Sequence, residues 1–449
     1  MISALGIRLA AMMFFQFFVW GAWYVTAPRY LGQIGFTGGD FAWTYSVGPL
    51  AALIAPLFVG MVADRFFPTE KILGALHIVG GAIMLFATTL MDPSSPASPG
   101  TINLVFFGHT LCFYPTLSLT NTLALHNITD SSKEFPLIRV FGTIGWIVAG
   151  TVLGWLAWGD RVEMFHLTGG AGILMGLYCF TLPHTPPPSK GKSASIGELL
   201  GSDALVLFKN PSFSVFIVCS LLICIPLAFY YQLAERAVAA SGVENTPFVM
   251  TFGQMSEIGF MLLIPLFFKR LGVKWMLAVG MLAWVARYAL FAVGAPEQVR
   301  WMMIAGVVLH GICYDFFFVT GQIYTDQVAS KEIRGQAQGL LAMLTLGLGM
   351  LIGAQTAGQV EEAYTPAEVG VLNQQAQELG AQISALDPNA DAARIAELSA
   401  EQSARGLEAL QQLDWQMIWG IPAVLAVAIL LLFIVTFREK TAALTPSGD

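Results

Sequence analysis

The chain has 449 residues, of which 56% are hydrophobic and only 11% charged, with a mean hydropathy of +0.67 and a formal net charge of −7. Soluble domains carry about 25% charged residues, so the composition excludes a string of soluble domains and places most of the chain in lipid. The negative balance does not point to a charged partner, because much of it comes from the segment 359–414.

A membrane-spanning helix needs about 20 mainly apolar residues. Twelve such runs follow one another, at 9–31, 42–63, 72–90, 102–125, 137–158, 164–182, 212–233, 248–267, 273–294, 301–325, 335–357 and 415–437. The runs at 102–125 and 212–233 are the least uniform, because they carry Pro, Asn, Thr and Tyr. The opening MISALGIRLAAMMFFQFFVWGAWYV has no small-residue cleavage site before a polar region and reads as a retained first helix. Cys112, Cys179, Cys219, Cys224 and Cys313 all fall inside apolar runs without metal-type spacing, so they read as packing residues.

Loop charges set an orientation. With both termini cytoplasmic, 14 of the 22 Lys and Arg residues lie on the cytoplasmic side and six on the other, while Arg139 and Arg287 fall within runs. That bias satisfies the positive-inside rule. The expected location is the bacterial inner membrane. The stretch 183–211, PHTPPPSKGKSASIGELLGSDALVLFKNP, is a Pro, Ser and Lys linker between the sixth and seventh runs. It divides an N-terminal bundle (1–182) from a C-terminal one (212–437), with a cytoplasmic tail at 438–449. Weak echoes connect the halves: PLFVGMVADRF with PLFFKRLG, and LIRVFGTIG with EIRGQAQG. Two parallel six-helix repeats suit a transporter with its site between the halves near mid-membrane.

The segment 359–414 does not fit the apolar pattern. It holds ten acidic residues, and Arg394 and Arg405 are its only basic ones. Leu372, Ala376, Leu379, Ile383 and Leu386 recur at helical spacing. Thr365-Pro366-Ala367-Glu368 matches a capping box with proline at the first helical position. Asp387-Pro388-Asn389 is a turn signal, and a second helix is expected over 391–412. The segment therefore reads as an extracytoplasmic helical hairpin. A lid or a partner surface would each suit it, and the sequence does not choose.

Ionisable groups inside spans are functional candidates by default. Glu257 and Asp315 lie mid-run, Arg139 one or two turns from the cytoplasmic side, and Arg287 within the ninth run. The two arginines can snorkel toward headgroups, whereas a short carboxylate at mid-run cannot. Gln254 shares a helix face with Glu257, Gln16 with Trp20, and His310 with Tyr314. Single polar residues of this kind often serve only to join helices. Aromatic faces with scattered amides on both halves also suit a cavity for a small, ring-bearing, hydroxyl-rich ligand. A mid-membrane carboxyl can load and release a proton as water access changes, and a nearby arginine can bias that exchange. The candidate proton-coupling set is Glu257, Asp315 and Arg139.

These residues bring the chain to a resemblance. It is similar to the major facilitator superfamily, and most to its bacterial nucleoside:proton symporters, over nearly everything except the acidic segment. FFQFFVWGAWYVT, YPTLSLTNT, FPLIRVFGTIGW, LPHTP, QMSEIGFMLLIPLF, WVARYALFA, YDFFFVTG and IRGQAQG carry the likeness. GMVADR is shared across the superfamily and says little about substrate. The resemblance implies an all-α integral membrane protein of twelve transmembrane helices in two six-helix pseudo-repeats. It also implies proton-coupled nucleoside uptake by alternating access, with no enzymatic activity and no cofactor. The family's cavity arginine matches Arg139, with Thr143 one turn on. Its span-eight glutamine and glutamate match Gln254 and Glu257, and its Phe-Asp-Phe-Phe appears as Tyr314-Asp315-Phe316-Phe317. There are departures: Ala228 and Tyr231 stand where the family has substrate-contacting amides, and His310 stands where it has a tyrosine. The expected substrate-binding residues are Gln16, Trp20, Arg139, Thr143, Gln254, Glu257, His310, Tyr314 and Asp315. Two alternatives stay open. One is a proton symporter of another small polar solute, a sugar or nucleobase relative. The other is a transporter-like membrane sensor.

Overall fold

The computed structural model describes residues 3–58, 66–187, 202–330, 333–387 and 390–438. The described residues are almost entirely helical. In the N-terminal half they form α1 (Ala4–Gly21), α2 (Ala27–Gln33), α3 (Gly38–Phe58), α4 (Thr69–Thr88), α5 (Pro99–His126), α6 (Ser131–Trp155) and α7 (Glu163–Cys179). A short 3₁₀ helix, Ser202–Lys209, precedes the second half. There follow α8 (Pro211–Ala240), α9 (Thr246–Gly294), α10 (Arg300–Val328), α11 (Arg334–Ala363), α12 (Ala367–Ser384), α13 (Ala392–Gln411) and α14 (Trp415–Thr436).

Nine helices among the described residues are long and apolar enough to cross a membrane. Reaching the twelve expected from the sequence requires adding α3 and α7 and dividing α9. The division has a physical basis. At about 1.5 Å per residue, 49 helical residues would greatly exceed a hydrocarbon core of about 30 Å. Gly272, at φ 66° and ψ −178°, breaks α9 where the sequence separates its eighth and ninth runs. A side chain there would be strained.

Several local expectations are revised. The first run does not continue as one helix to residue 31. It stops at Gly21, passes through a turn, and resumes as α2 with Pro28 in its first turn. Gly21 packs face-on against Trp146, where a methyl group would lie 2.9 Å from the indole Cγ. The acidic segment starts later than expected, because α11 runs on to Ala363. Its capping box does not form: Pro366 occupies the cap, and the Thr365 hydroxyl donates back to the Glu361 carbonyl at 2.6 Å. The hairpin itself is present as α12 packed on α13. Pro388 and Asn389 of the expected turn, the motif GMVADR and most of the linker lie outside the described residues.

Each half is a bundle. In the first, α1 packs on α6, and α4 on α5 and α7. In the second, α9 packs on α10 and α14, and α8 on α11. Small residues allow backbones to touch, the usual basis of helix association in lipid. A methyl group on Gly81 would sit 2.6 Å from the Gly169 carbonyl oxygen, where α4 meets α7. The bundles meet along two seams, α3 with α11 and α6 with α9. Each seam joins the second long helix of one bundle to the fifth of the other.

Candidate functional site

The seams close most tightly at the end carrying the hairpin. A methyl group on Gly38 would lie 2.7 Å from the Gly358 carbonyl oxygen. A methyl group on Gly150 would lie 2.9 Å from the Pro247 carbonyl oxygen. An ionic lock stands between them. Arg29 reaches Asp160 at 3.0 Å in its own bundle, and Glu235 at 3.3 Å and Thr246 at 3.1 Å in the other. The Glu235 side chain is only 1% exposed. Removing Arg29 would leave that carboxylate buried without its counter-charge. Nearer the centre, the Gln355 amide donates to the Ser46 hydroxyl at 2.8 Å across the α3–α11 seam.

Below the lock, aromatic rings fill the interface. Trp20 meets Tyr24, Tyr114 and Trp146 with ring centres 5.6, 5.9 and 5.4 Å away, and Tyr24 meets Tyr231 of the other bundle at 5.5 Å. Edge-to-face contacts at these distances are favourable. Under this layer lies a central cavity of about 80 Å³. Its lining includes Trp20, Arg139, Thr143, Gln254, Glu257, His310 and Tyr314, from α1, α6, α9 and α10. Seven of the nine expected site residues therefore converge from elements scattered between Trp20 and Tyr314.

The charged pair comes from opposite bundles. Arg139 of α6 and Glu257 of α9 are close enough to act on each other electrostatically, although they form no salt bridge among the described residues. The Arg139 guanidinium lies 4.1 Å from the Phe17 ring centre, a cation–π arrangement. His310 stacks on Tyr230 at 5.3 Å and contacts Tyr314 at 5.7 Å.

Two expected residues sit elsewhere. Gln16 is fully buried inside the first bundle, where its amide donates to Thr116 at 2.8 Å and its carbonyl oxygen meets His77 at 2.8 Å. It ties α1 to α4 and α5 and does not line the cavity. Asp315 is also fully buried and absent from the cavity lining. It opens a π-helical turn, Asp315–Val319, and neither carboxylate oxygen has a hydrogen-bond partner. Among the described residues Asp315 forms no ion pair with Arg139. Glu257 is the carboxylate within electrostatic reach of Asp315. π-turns inside α-helices are often found at functional positions. Arg287 is buried in the second bundle, with its Nε donating to the Gly306 carbonyl at 3.0 Å and its guanidinium 4.1 Å from the Tyr230 ring. It braces the ring on which His310 stacks.

Phe17 and Trp146 line the cavity without having been singled out, and so does Tyr231, which the resemblance set at a substrate-contacting position. Trp146 had a readable signal, since it lies two turns beyond Arg139 and one beyond Thr143 on α6. Among the described residues, no cluster of His, Cys, Asp or Glu is arranged to hold a metal. The cavity can clamp a flat ring between aromatic walls, present an amide to its edge, and set a carboxylate and a guanidinium beside hydroxyl groups or a proton.

Known proteins resemble this chain in sequence and fold. The family model for the nucleoside H+ symporter matches residues 3–381. The putative nucleoside transporter YegT of Escherichia coli is 34% identical over 98% of this chain and 95% of its own length. The xanthosine permease of the same organism is 30% identical over 81% of this chain and 89% of its own. A crystal structure of the nucleoside transporter NupG superposes with a TM-score of 0.79 at 26% identity, covering 98% of this chain and all of the other. The architecture is that of the major facilitator transporters, and the protein is a multi-pass membrane transporter rather than an enzyme. On these grounds the chain belongs to the nucleoside H+ symporter family.

Proposed function

We propose that this protein takes up nucleosides together with protons across the bacterial inner membrane by alternating access, with the linker end and both termini in the cytoplasm. The carrying observation is the convergence of Arg139 and Glu257, from opposite bundles, on an aromatic cavity that also holds Gln254. Ligand pockets usually measure about 300 Å³ or more, so a cavity of about 80 Å³ is a partly collapsed site. With the hairpin end locked, the bundles have to part at the linker end to admit or release a nucleoside. Glu257 and Asp315 form the proton-carrying set in this reading, and Arg139 biases it. Gln254 and the rings do the recognising, since Ala228 and Tyr231 offer no amide.

The test is uptake of tritiated nucleosides into proteoliposomes under an imposed pH gradient, with nucleobases and sugars as competitors. Concentrative nucleoside uptake is the expected result. Competition by a sugar in place of nucleosides would favour the broader solute reading, and binding without flux would favour a sensor. Losing one hydrogen bond to substrate costs about 1–3 kcal/mol, and about 1.4 kcal/mol is one decade of affinity. Gln254→Ala is therefore expected to weaken nucleoside binding roughly ten- to a hundredfold. Unchanged affinity would remove Gln254 from the site.

Orientation has its own check. A cysteine at Gln382, in α12, is expected to react with an impermeant maleimide added to intact cells, and one at Ser193 in the linker is not. The native cysteines give little background, since four are buried and Cys112 is partly so. The opposite labelling pattern would invert the topology.

A further inference from the structure

A second cavity is larger than the central one. It is a chamber of about 370 Å³ on the far side of the ionic lock, roofed by α12 and α13. The roof is rooted in the second bundle but reaches the first. The Gln377 amide stands 3.0 Å from where a methyl group on Gly35 would be, and the Pro93 Cβ 3.1 Å from where one on Gly380 would be. Gln411 donates to the Ala240 carbonyl at 3.2 Å on the opposite side. Arg29, the centre of the lock, belongs to the chamber wall. The chamber thus lies on the line from the hairpin end to the central cavity, separated from it by the lock and the aromatic layer.

The wall has a definite chemistry. The edges of the buried Phe36 and Phe41 supply apolar floor, and Glu362, Asn373 and Ser403 supply acceptors and donors. Arg236 lies in the same wall, with its side chain 5% exposed. Its terminal nitrogens meet both oxygens of Glu361 at 2.6 and 2.8 Å, and it packs 4.3 Å from the Phe41 ring centre, but its Nε–H has no partner. Both arginines of the wall are neutralised by carboxylates. A charged ligand therefore gains little there, whereas an uncharged ligand bearing hydroxyl groups gains the Glu362 carboxylate as an acceptor and the Asn373 and Ser403 side chains as partners. The volume falls within the usual range for small-molecule pockets of about 300–1,000 Å³.

We infer that this chamber is a second substrate site, an outer waiting position in which the hairpin holds a nucleoside before the lock opens. This rests on the nucleoside-transport reading and assigns the acidic hairpin a role in it. The test uses the full-length protein carrying Asn373→Cys, labelled with an impermeant maleimide with and without a nucleoside that the wild type transports. Labelling is expected to slow at least tenfold when the nucleoside saturates, and to slow equally when Gln254→Ala has weakened the central site. Ser403→Cys is the second reporter if the first does not fold. Gly370 borders the chamber, and a methyl group added there meets nothing within 4 Å, so Gly370→Trp can enter the space without a backbone clash. It is expected to abolish the protection. Wild-type uptake with unprotected cysteines, or protection that vanishes with Gln254→Ala, would overturn the chamber and leave the transport reading standing. Absence of any nucleoside uptake or binding by the wild type would overturn both.

Discussion

Asp315→Asn in proteoliposomes is expected to bind nucleoside and exchange it across the membrane, yet to lose all accumulation driven by a pH gradient. The side chain is fully buried at the start of a π-helical turn, and neither of its oxygens has a hydrogen-bond partner. A permanent charge in that position is expensive in a membrane interior. Among the described residues no cation pairs with it, and the carboxylate that acts on it, Glu257, carries the same charge. A residue whose only evident service to folding is negative is better explained by a proton that it takes up and gives back. Asparagine keeps the shape and removes the titration. The thermal midpoint of the variant should equal or exceed that of the wild type, because a costly buried acid has been replaced by a neutral amide. Continued accumulation against a gradient by Asp315→Asn would make it a structural residue. A large fall in Tm would say the same.

The second large effect is steric. Gly38→Leu is expected to abolish net uptake by preventing closure at the hairpin end. A methyl group at Gly38 already lies 2.7 Å from the Gly358 carbonyl oxygen and 2.9 Å from the Glu362 amide nitrogen. These are backbone atoms of a long helix and cannot rotate aside as a side chain would. An isobutyl group there holds the α3–α11 seam apart, and the Arg29 lock cannot assemble across the gap. A cysteine at Val25, 7% exposed under the lock, should then react with impermeant maleimide from the hairpin side at least tenfold faster than in the parent. Normal uptake by Gly38→Leu, or an unreactive Val25→Cys in that background, would show that this seam does not close and open during transport.

The resemblance and the positions of the apolar runs were legible because lipid imposes a simple rule. Every spanning segment must satisfy its own backbone and stay apolar for about 20 residues. Intramembrane charges stand out against that background, so Arg139, Glu257 and Asp315 could be singled out without any structure. The hairpin was legible for the opposite reason, as acidic, helix-forming sequence where lipid would not admit it. Its capping box failed because a local pattern cannot see that Thr365 finds a better partner one turn back, at Glu361.

What the chain determined by itself is thus its solvent, most of its helical runs and the few charged residues that stand among them. What only the tertiary structure decided is which of those residues meet. Gln16 and Trp20 share a helix face, yet a rotation of α1 by a fraction of a turn sends the glutamine to His77 and Thr116 and leaves the tryptophan at the cavity. Tyr231 and Trp146 became wall residues, and Asp315 moved behind the wall, through the same kind of choice. Helical periodicity defines a face to within about 100°, whereas packing against several neighbours sets the rotation of each helix. The Arg29 lock and the chamber above it depend on side chains from both bundles arriving at one end together, and no single segment of sequence contains that information.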